Sequence, residues 1–497
     1  MAAKVLSSKL LKNLRFFTRP LVTSSSTTSS SASSSPISAI PSLNLTQKPL
    51  PTATLPKSPP SILDLQDHQK LFAPLPTKKL LHASLILHMA AMEPLVDFSI
   101  WVMNSRLMGM DNSIRDLILR AIRHSFYKHF CAGEDTVEAA NCLKRLNESG
   151  LRGMLDFAVE FASDNDACDR NFHGFLSTVE AAKSLPPSTV SSVVVKITAI
   201  CPLNLLERVS DLLRWQQKHP SFNLPWKQNT LPIFSDSSPL YHTVKKPEPL
   251  TPEEEKHLLL GQQRLLKLCQ ACVEANVPLV IDAEHSTVQP AIDYLTYSSA
   301  IKYNKDDKPI VYGTIQAYLK DAKERLLLAT KAADKMRVSM GFKLVRGAYM
   351  STERKLASSL GYQSPIHNNI QQTHSCYNDC ASFLLEAITN GSHGVILATH
   401  NVQSATLAAK KAQDLGIGNG NQKLEFAQVY GMAEALSFGL RNAGFQVSKY
   451  LPFGHVEIVM PYLLRRAEEN RGLLSASGLD RVLTRKELCR RLKAVLF

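Results

Sequence analysis

Four residues near the C-terminus are spaced so that one helix face would carry them together. Tyr462, Arg465, Arg466 and Glu469 follow the pattern i, i+3, i+4, i+7. Adjacent guanidiniums beside a phenol, with a carboxylate one turn on, can grip a carboxylate through forked, charge-assisted hydrogen bonds. The same four would also suit a solvated basic patch, and spacing alone leaves both readings open. Other polar residues recur in or just after short apolar runs: Glu160, Lys196, Asp282 and Glu284, Gln316, Lys343 and Arg346, the trio Thr399, His400 and Asn401, Gln428 and Tyr430, and Tyr450. A charge inside an apolar strand is costly unless it is paired or used. Several charges converging on one place suit an anionic or zwitterionic ligand. Lys196 also fits a Schiff-base nucleophile, which would need a depressed pKa; Arg465 and Arg466 nearby would supply it.

Something must bring these residues together. Eight apolar runs, at 154–159, 193–199, 279–284, 310–316, 342–347, 395–399, 424–430 and 446–451, alternate with stretches of helical periodicity such as 319–337 and 405–415. Strand–helix alternation means parallel pairing, and eight repeats predict an α/β fold of the (β/α)8 barrel type over 151–475. In such a barrel the C-terminal ends of the strands carry the chemistry, and there the polar residues fall. The rival is an open doubly wound sheet, which would bring a glycine-rich turn after its first strand. None follows Val159. Residues 220–252, rich in Pro, Ser and Lys, read as a surface insertion in the second strand-to-helix connection. Residues 61–150 read as an N-terminal helical region. Its apolar stretch 80–103 is interrupted by His82, His88, Glu93, Pro94 and Asp97, so a buried or docking helix pair is expected rather than a span. Residues 476–497 form a basic amphipathic tail, with Arg481, Arg485, Lys486, Arg490, Arg491 and Lys493 among Leu and Val, suited to a membrane surface.

Of 497 residues 44% are hydrophobic, enough for a sizeable core. The formal net charge is +14, but the first acid is Asp64, and seven cations precede it. The positive balance thus describes the first 63 residues more than the rest and argues little for nucleic acid. Residues 1–20 mix Leu, Phe and basic residues with no acid, and 23–35 are Ser or Thr except Ala32. That is the composition of a mitochondrial transit peptide within a Ser/Pro-rich tail over 1–60; plain disorder is the alternative. Nine cysteines, with one CxxC at Cys269 and Cys272 and a pair at Cys376 and Cys380, lack a second pair at metal spacing. No metal is expected, and a reducing compartment fits better than secretion.

With these residues in place, the chain resembles the flavin-dependent proline dehydrogenases, including the dehydrogenase domain of bacterial bifunctional proline-utilising enzymes. The matching segments run in order over about 125–475: FCAGED at 130–135, Asp156 with Glu160, VVVKITA around Lys196, LVIDAE ending at Glu284, TIQAYL around Gln316, FKLVRGAY ending at Tyr349, ATHN ending at Asn401, YGMAE from Tyr430, and 450–466. The resemblance implies oxidation of L-proline to 1-pyrroline-5-carboxylate with FAD, on the matrix side of the inner mitochondrial membrane, with a membrane quinone as acceptor. It implies that Lys196, Asp282, Lys343 and Tyr450 serve catalysis. Lys196, Tyr450, Tyr462, Arg465 and Arg466 would hold the substrate, with Glu160 gating through Arg465. Gln316, Lys343, Val345, Arg346, Gly347, Ala348, Thr399, His400, Asn401 and Glu469 would hold FAD. Lys343 departs from the arginine that bacterial relatives often carry, so its flavin contacts lose the fork. Tyr450 stands where relatives acting on hydroxyproline tend to have a small residue, which implies a preference for proline. The chemistry agrees, because no side chain accepts a hydride and a cofactor must.

Overall fold

Eight parallel strands close on themselves in chain order, β8 pairing with β1. They are β1 (Arg152–Phe157), β2 (Val190–Val195), β3 (Leu279–Ile281), β4 (Val311–Gln316), β5 (Gly341–Val345), β6 (Gly394–Ala398), β7 (Leu424–Val429) and β8 (Gln446–Phe453). This computed structural model describes residues 62–109, 113–305, 308–391, 393–418, 420–472 and 476–496. The transit peptide expected over 1–60 lies outside them. The N-terminal helices are α1 (His68–Phe72), α2 (Thr77–Met89), α3 (Glu93–Asn104), α4 (Ser113–Ile122) and α5 (Thr136–Glu148). Around the barrel run α6 (Asn165–Lys183), α7 (Leu203–Lys218), α8 (Pro252–Ala275), α9 (Gln289–Tyr303), α10 (Ala322–Met336), α11 (Met350–Ser359), α12 (Ile370–Asn390), α13 (Val402–Asp414), α14 (Glu434–Asn442) and α15 (Val456–Gly472), and α16 (Ala476–Leu496) follows.

Strands covered on both faces must be apolar throughout, and all six residues of β2 are buried. Inside the barrel Met154, Val194, Val280, Tyr312, Ile396 and Ala427 form one packed cluster, with Tyr450 against it. Helix starts are written locally. Asp164, Asn369 and Asn401 each accept a backbone N–H three residues on, and Thr251 with Glu254 forms a reciprocal capping box.

Three expectations change. The second strand ends at Val195, so Lys196 stands just past it; Thr198 and Ala199 sit in a helical turn, and the Glu284 carboxylate takes the Thr198 N–H at 3.2 Å. The 219–251 segment lies not between β2 and its first helix but between α7 and α8. Its Leu224, Leu231 and Ile233 are buried in the main core, and Tyr294 OH accepts the Gln228 N–H at 2.9 Å, so it is anchored rather than merely superficial. The C-terminal tail is not a free amphipathic helix. α16 packs on α1, α2 and α14, with Leu483 and Leu488 buried. Glu487, fully buried, bonds His68, Arg490 and Arg491, and Arg491 donates to the Phe72 and Leu75 carbonyls.

Candidate active site

Two lysines and two aspartates, from β1, β5 and the residues just past β2 and β3, meet at one mouth of the barrel. Lys196 Nζ lies 3.2 Å from Asp156 Oδ1, 3.5 Å from Asp282 Oδ2 and 3.2 Å from the Tyr450 hydroxyl. Lys343 bonds the other oxygen of Asp282, and Tyr450 donates to Asp282 Oδ2 at 2.8 Å. Tyr450 reaches this network because it alternates inward along β8. Its neighbour Lys449, fully buried, faces the helix side and bonds Glu434 at 3.0 Å and the Met432 carbonyl at 2.7 Å. Burial would lower the Lys196 pKa, but Asp156, Asp282 and Glu160 together push it above the ordinary lysine range. A Schiff-base nucleophile needs the opposite shift, so the geometry disfavours that role. Burial raises Asp156, against Lys196, while Asp282 is held below its usual range by Lys343 and Lys196 against burial.

Across the mouth, α15 supplies the guanidiniums. Arg465 grips Glu160 with both arms, Nη1 to Oε1 at 2.7 Å and Nη2 to Oε2 at 3.2 Å. Burial works against the charge on Glu160, but Arg465 and then Lys196 keep its carboxyl below the usual range. The Arg465 guanidinium also lies 5.8 Å from the Tyr349 ring centre, and Arg466 lies 5.3 Å from that of Tyr462. The spacing pattern therefore does bring Tyr462, Arg465 and Arg466 onto a helix beside the mouth. Glu469 is on the same helix, but its side chain falls outside the described residues.

The remaining residues gather over β4 to β6. Gln316 donates to the Glu284 carbonyl at 3.0 Å. Arg346 donates to His374 at 3.0 Å, Thr399 at 2.7 Å and Ser404 at 2.8 Å, and its guanidinium lies 4.3 Å from the Tyr377 ring centre. His400 Nε2 accepts the Val429 N–H at 3.0 Å, which places its proton on Nδ1, and burial lowers its pKa to about 3. Asn401 caps α13 through Ser404 N at 2.8 Å. Gly347 has φ +132°, and a Cβ there would meet the Tyr318 ring at 2.5 Å, so this turn admits only glycine. Val345 and Arg346 lend their carbonyls to Ala317 and Tyr318, and Ala348 is exposed.

The sequence profile of the family described as proline dehydrogenase matches residues 139–477. The chain belongs to the proline dehydrogenase family. It is 57% identical over 463 residues to "Proline dehydrogenase 2, mitochondrial" of Arabidopsis thaliana, covering 92% of this chain and 95% of that one. It is 32% identical to the hydroxyproline dehydrogenase of Mus musculus, over 84% of this chain and 92% of that one. Among solved structures it superposes on proline utilization A from Bdellovibrio bacteriovorus inactivated by N-propargylglycine, with TM-score 0.58 and 19% identity. That match covers 84% of this chain and 44% of that longer one, and it speaks for the barrel fold alone. Proline dehydrogenases are oxidoreductases, and the chain is an enzyme of that class.

Several members of this constellation carried no assigned role in the sequence. Asp156, Thr198 and Tyr349 stood in matched segments without one, and His285 gave no signal of its own. Glu284, fully buried, is pushed by burial and then by Glu160 to about 7, against Thr198. His285 is lowered to about 4 by burial and Arg465, and its ring lies 4.1 Å from that of Tyr349.

Proposed function

We propose that this chain oxidises L-proline to 1-pyrroline-5-carboxylate with FAD and delivers the electrons to a membrane quinone. One observation carries the reading: a forked arginine, Arg465, stands across from Lys196 in a mouth that also holds Asp282 and Tyr450. Arg465, Arg466 and Lys196 would fix the substrate carboxylate, and Tyr450 and Tyr462 would border the ring, excluding water from it. The donor set on the β4–β6 side fits a flavin and its diphosphate, which present mostly acceptors. Lys343, Arg346, Gln316, Thr399 and Asn401 all carry donors. One buried polar atom at the mouth, His285 Nδ1 beside Tyr349, has no hydrogen-bond partner among the described residues. Gln316, Lys343, Val345, Arg346, Gly347, Ala348, Thr399, His400, Asn401 and Glu469 would hold FAD, which when bound accepts the hydride from the carbon beside the amine. Asp282, held ionised by two lysines, orients Tyr450 and Lys343 and has no proton to give at neutral pH. The test is direct. Purified protein lacking about the first 60 residues is expected to be yellow and to reduce a quinone analogue with proline. A folded, colourless protein that takes up no added FAD would end the reading.

The location we infer is the matrix face of the inner mitochondrial membrane. The acid-free first 63 residues and the mitochondrial names of the Arabidopsis relatives support it. Residues 1–60 fused to a fluorescent reporter should enter mitochondria, and a plastid or cytosolic signal would refute this. The N-terminal helices, not the docked tail, support membrane contact. No single described helix is long and apolar enough to cross a bilayer, and α2 and α3 meet at 86°. Yet Leu81, Leu85, Met92, Phe98, Trp101, Ile114 and Leu117 are each at least 55% exposed. The Phe98 and Trp101 rings stack at 5.9 Å, and exposed Lys78, Lys79, Arg106 and Arg120 suit anionic headgroups. Phe98→Ser with Trp101→Ser should abolish co-sedimentation with anionic vesicles and leave proline oxidation by a soluble dye intact.

A further inference from the structure

Phe161 holds a backbone conformation that a bulky residue rarely adopts. Its φ is +58°, in the left-handed region. It directly follows Glu160, the partner of Arg465, so the strain sits next to the gate. Something must hold it there, and the structure supplies a clamp. Thr198 Oγ1 accepts the Phe161 N–H at 3.3 Å, and the Thr198 carbonyl accepts the Ala162 N–H at 2.8 Å. Thr198 is in turn fixed by Glu284, whose Oε2 accepts the threonine hydroxyl proton at 2.6 Å and whose Oε1 accepts the Thr198 N–H at 3.2 Å. Glu284 is itself anchored through its backbone, its N–H donating to Gln289 at 2.8 Å and its carbonyl accepting from Gln316 at 3.0 Å. A hydroxyl has one proton. With Glu284 ionised, the threonine proton is committed to its Oε2 and the Thr198 oxygen accepts from Phe161, which sets the direction of the chain. Thr198 and Glu284 are both fully buried, where such a chain is not diluted by water.

We propose that Thr198, oriented by Glu284, is a positioning residue that sets the affinity for substrate by holding Phe161 in its left-handed turn, so that Glu160 keeps Arg465 aimed at the carboxylate. Glu160 takes two of the guanidinium's N–H groups and so fixes the plane of Arg465. Glu160 is therefore a buttress for Arg465 as well as its gate. Loosening the buttress costs binding and leaves the chemical step nearly untouched. The inference rests on the reading that Arg465 receives the substrate carboxylate.

Thr198→Val deletes the hydroxyl at nearly constant shape, and Thr198→Ser keeps it. The valine variant should raise KM for proline by about 5-fold to 50-fold with kcat within about twofold, the scale of one buried hydrogen bond lost from a binding step. The serine variant should return KM to within about twofold of the parent. Crystal structures of parent and Thr198→Val decide the mechanism separately: Phe161 should leave the left-handed region and Glu160 should lose at least one of its bonds to Arg465. If the valine variant does not hold flavin, Thr198→Ala removes the same hydroxyl without an added methyl, and the same comparison applies. A parent-like KM in either variant overturns the proposal, as does a raised KM with the turn and the ion pair unchanged. A loss confined to melting temperature or flavin content in both variants overturns it too, because that marks a structural role only. A parent that does not oxidise proline refutes the substrate reading, and the crystal structures still decide whether Thr198 holds the turn.

Discussion

The two sides of the barrel mouth are built on opposite electrostatic plans. On the side of β1 to β3 and β8, Lys196 and Arg465, joined by Lys343 reaching over from β5, interleave with three carboxylates, Asp156, Asp282 and Glu160, at hydrogen-bond distances. On the side of β4 to β6, Gln316, Arg346, Thr399, His400 and Asn401 are held by donors and neutral acceptors, and among the described residues no carboxylate bonds Arg346. A charge-balanced pocket can exchange water for a zwitterion without changing its net charge. A donor-rich rim suits a group that brings its own negative charge. On the proposed reading, the contrast would sort substrate from cofactor by charge before shape.

The sharpest way to break this division is Arg466→Met. Truncating one arm of a forked, charge-assisted clamp costs about 2–5 kcal/mol, which is about 30-fold to 4000-fold in kcat/KM for proline. FAD should stay bound, because apart from Glu469 the residues proposed to hold it lie on other elements, and Arg466→Lys should restore only part. Steady-state kinetics with a flavin spectrum check both, and proline kinetics within twofold of the parent would reduce the arginine pair to a solvated patch.

Next in size is pH. Burial raises Glu284 to about 7, so folding favours its protonated form; that contribution is present below its ordinary 4.5 and is lost as pH rises through about 7. The loss is on the order of 3 kcal/mol by 1.36 kcal/mol per unit. His400 runs the other way: its contribution is present above 6.5 and is lost as pH falls towards about 3. Melting curves should show Glu284→Gln flattening the alkaline limb and His400→Gln the acid limb. Identical limbs in parent and variants would mean that neither side titrates as described.

Arg346→Ala should come third. It removes the cation and frees Thr399 and Ser404, and should weaken FAD binding by about 10-fold to 100-fold, while kcat at saturating FAD stays within about threefold. Equilibrium dialysis measures the first and turnover the second; a collapse of kcat at saturation would merge the two sides. The smallest effect belongs to Tyr450→Ser, which should narrow the preference for proline over 4-hydroxyproline, mainly by weakening proline. Equal turnover of both substrates by the parent would remove the argument.

The barrel was legible because its strands are continuous apolar runs of the right length between helical stretches, and β4, β6 and β7 fall within a residue or two of their expected ends. Lys196 and the 219–251 segment were misplaced for physical reasons that no pattern carries. A side chain from β3's end reshapes the turn after β2, and a Pro-rich stretch can be pinned by a buried tyrosine hydroxyl. The arginine face of α15 was visible from spacing. The Thr198–Glu284 clamp was not, since its members are 86 residues apart. The tail was misread because its cations look solvent-bound in a linear string, whereas Arg490 and Arg491 turn inward onto Glu487.

That inward turn has a consequence for synthesis. α16 clasps α1, so α1 cannot reach its final neighbours until residues 476–496 have left the ribosome or crossed whatever barrier they are threaded through. A nascent chain truncated before Glu487 would leave α1 without the helix that clasps it, an exposed handle for quality-control proteases.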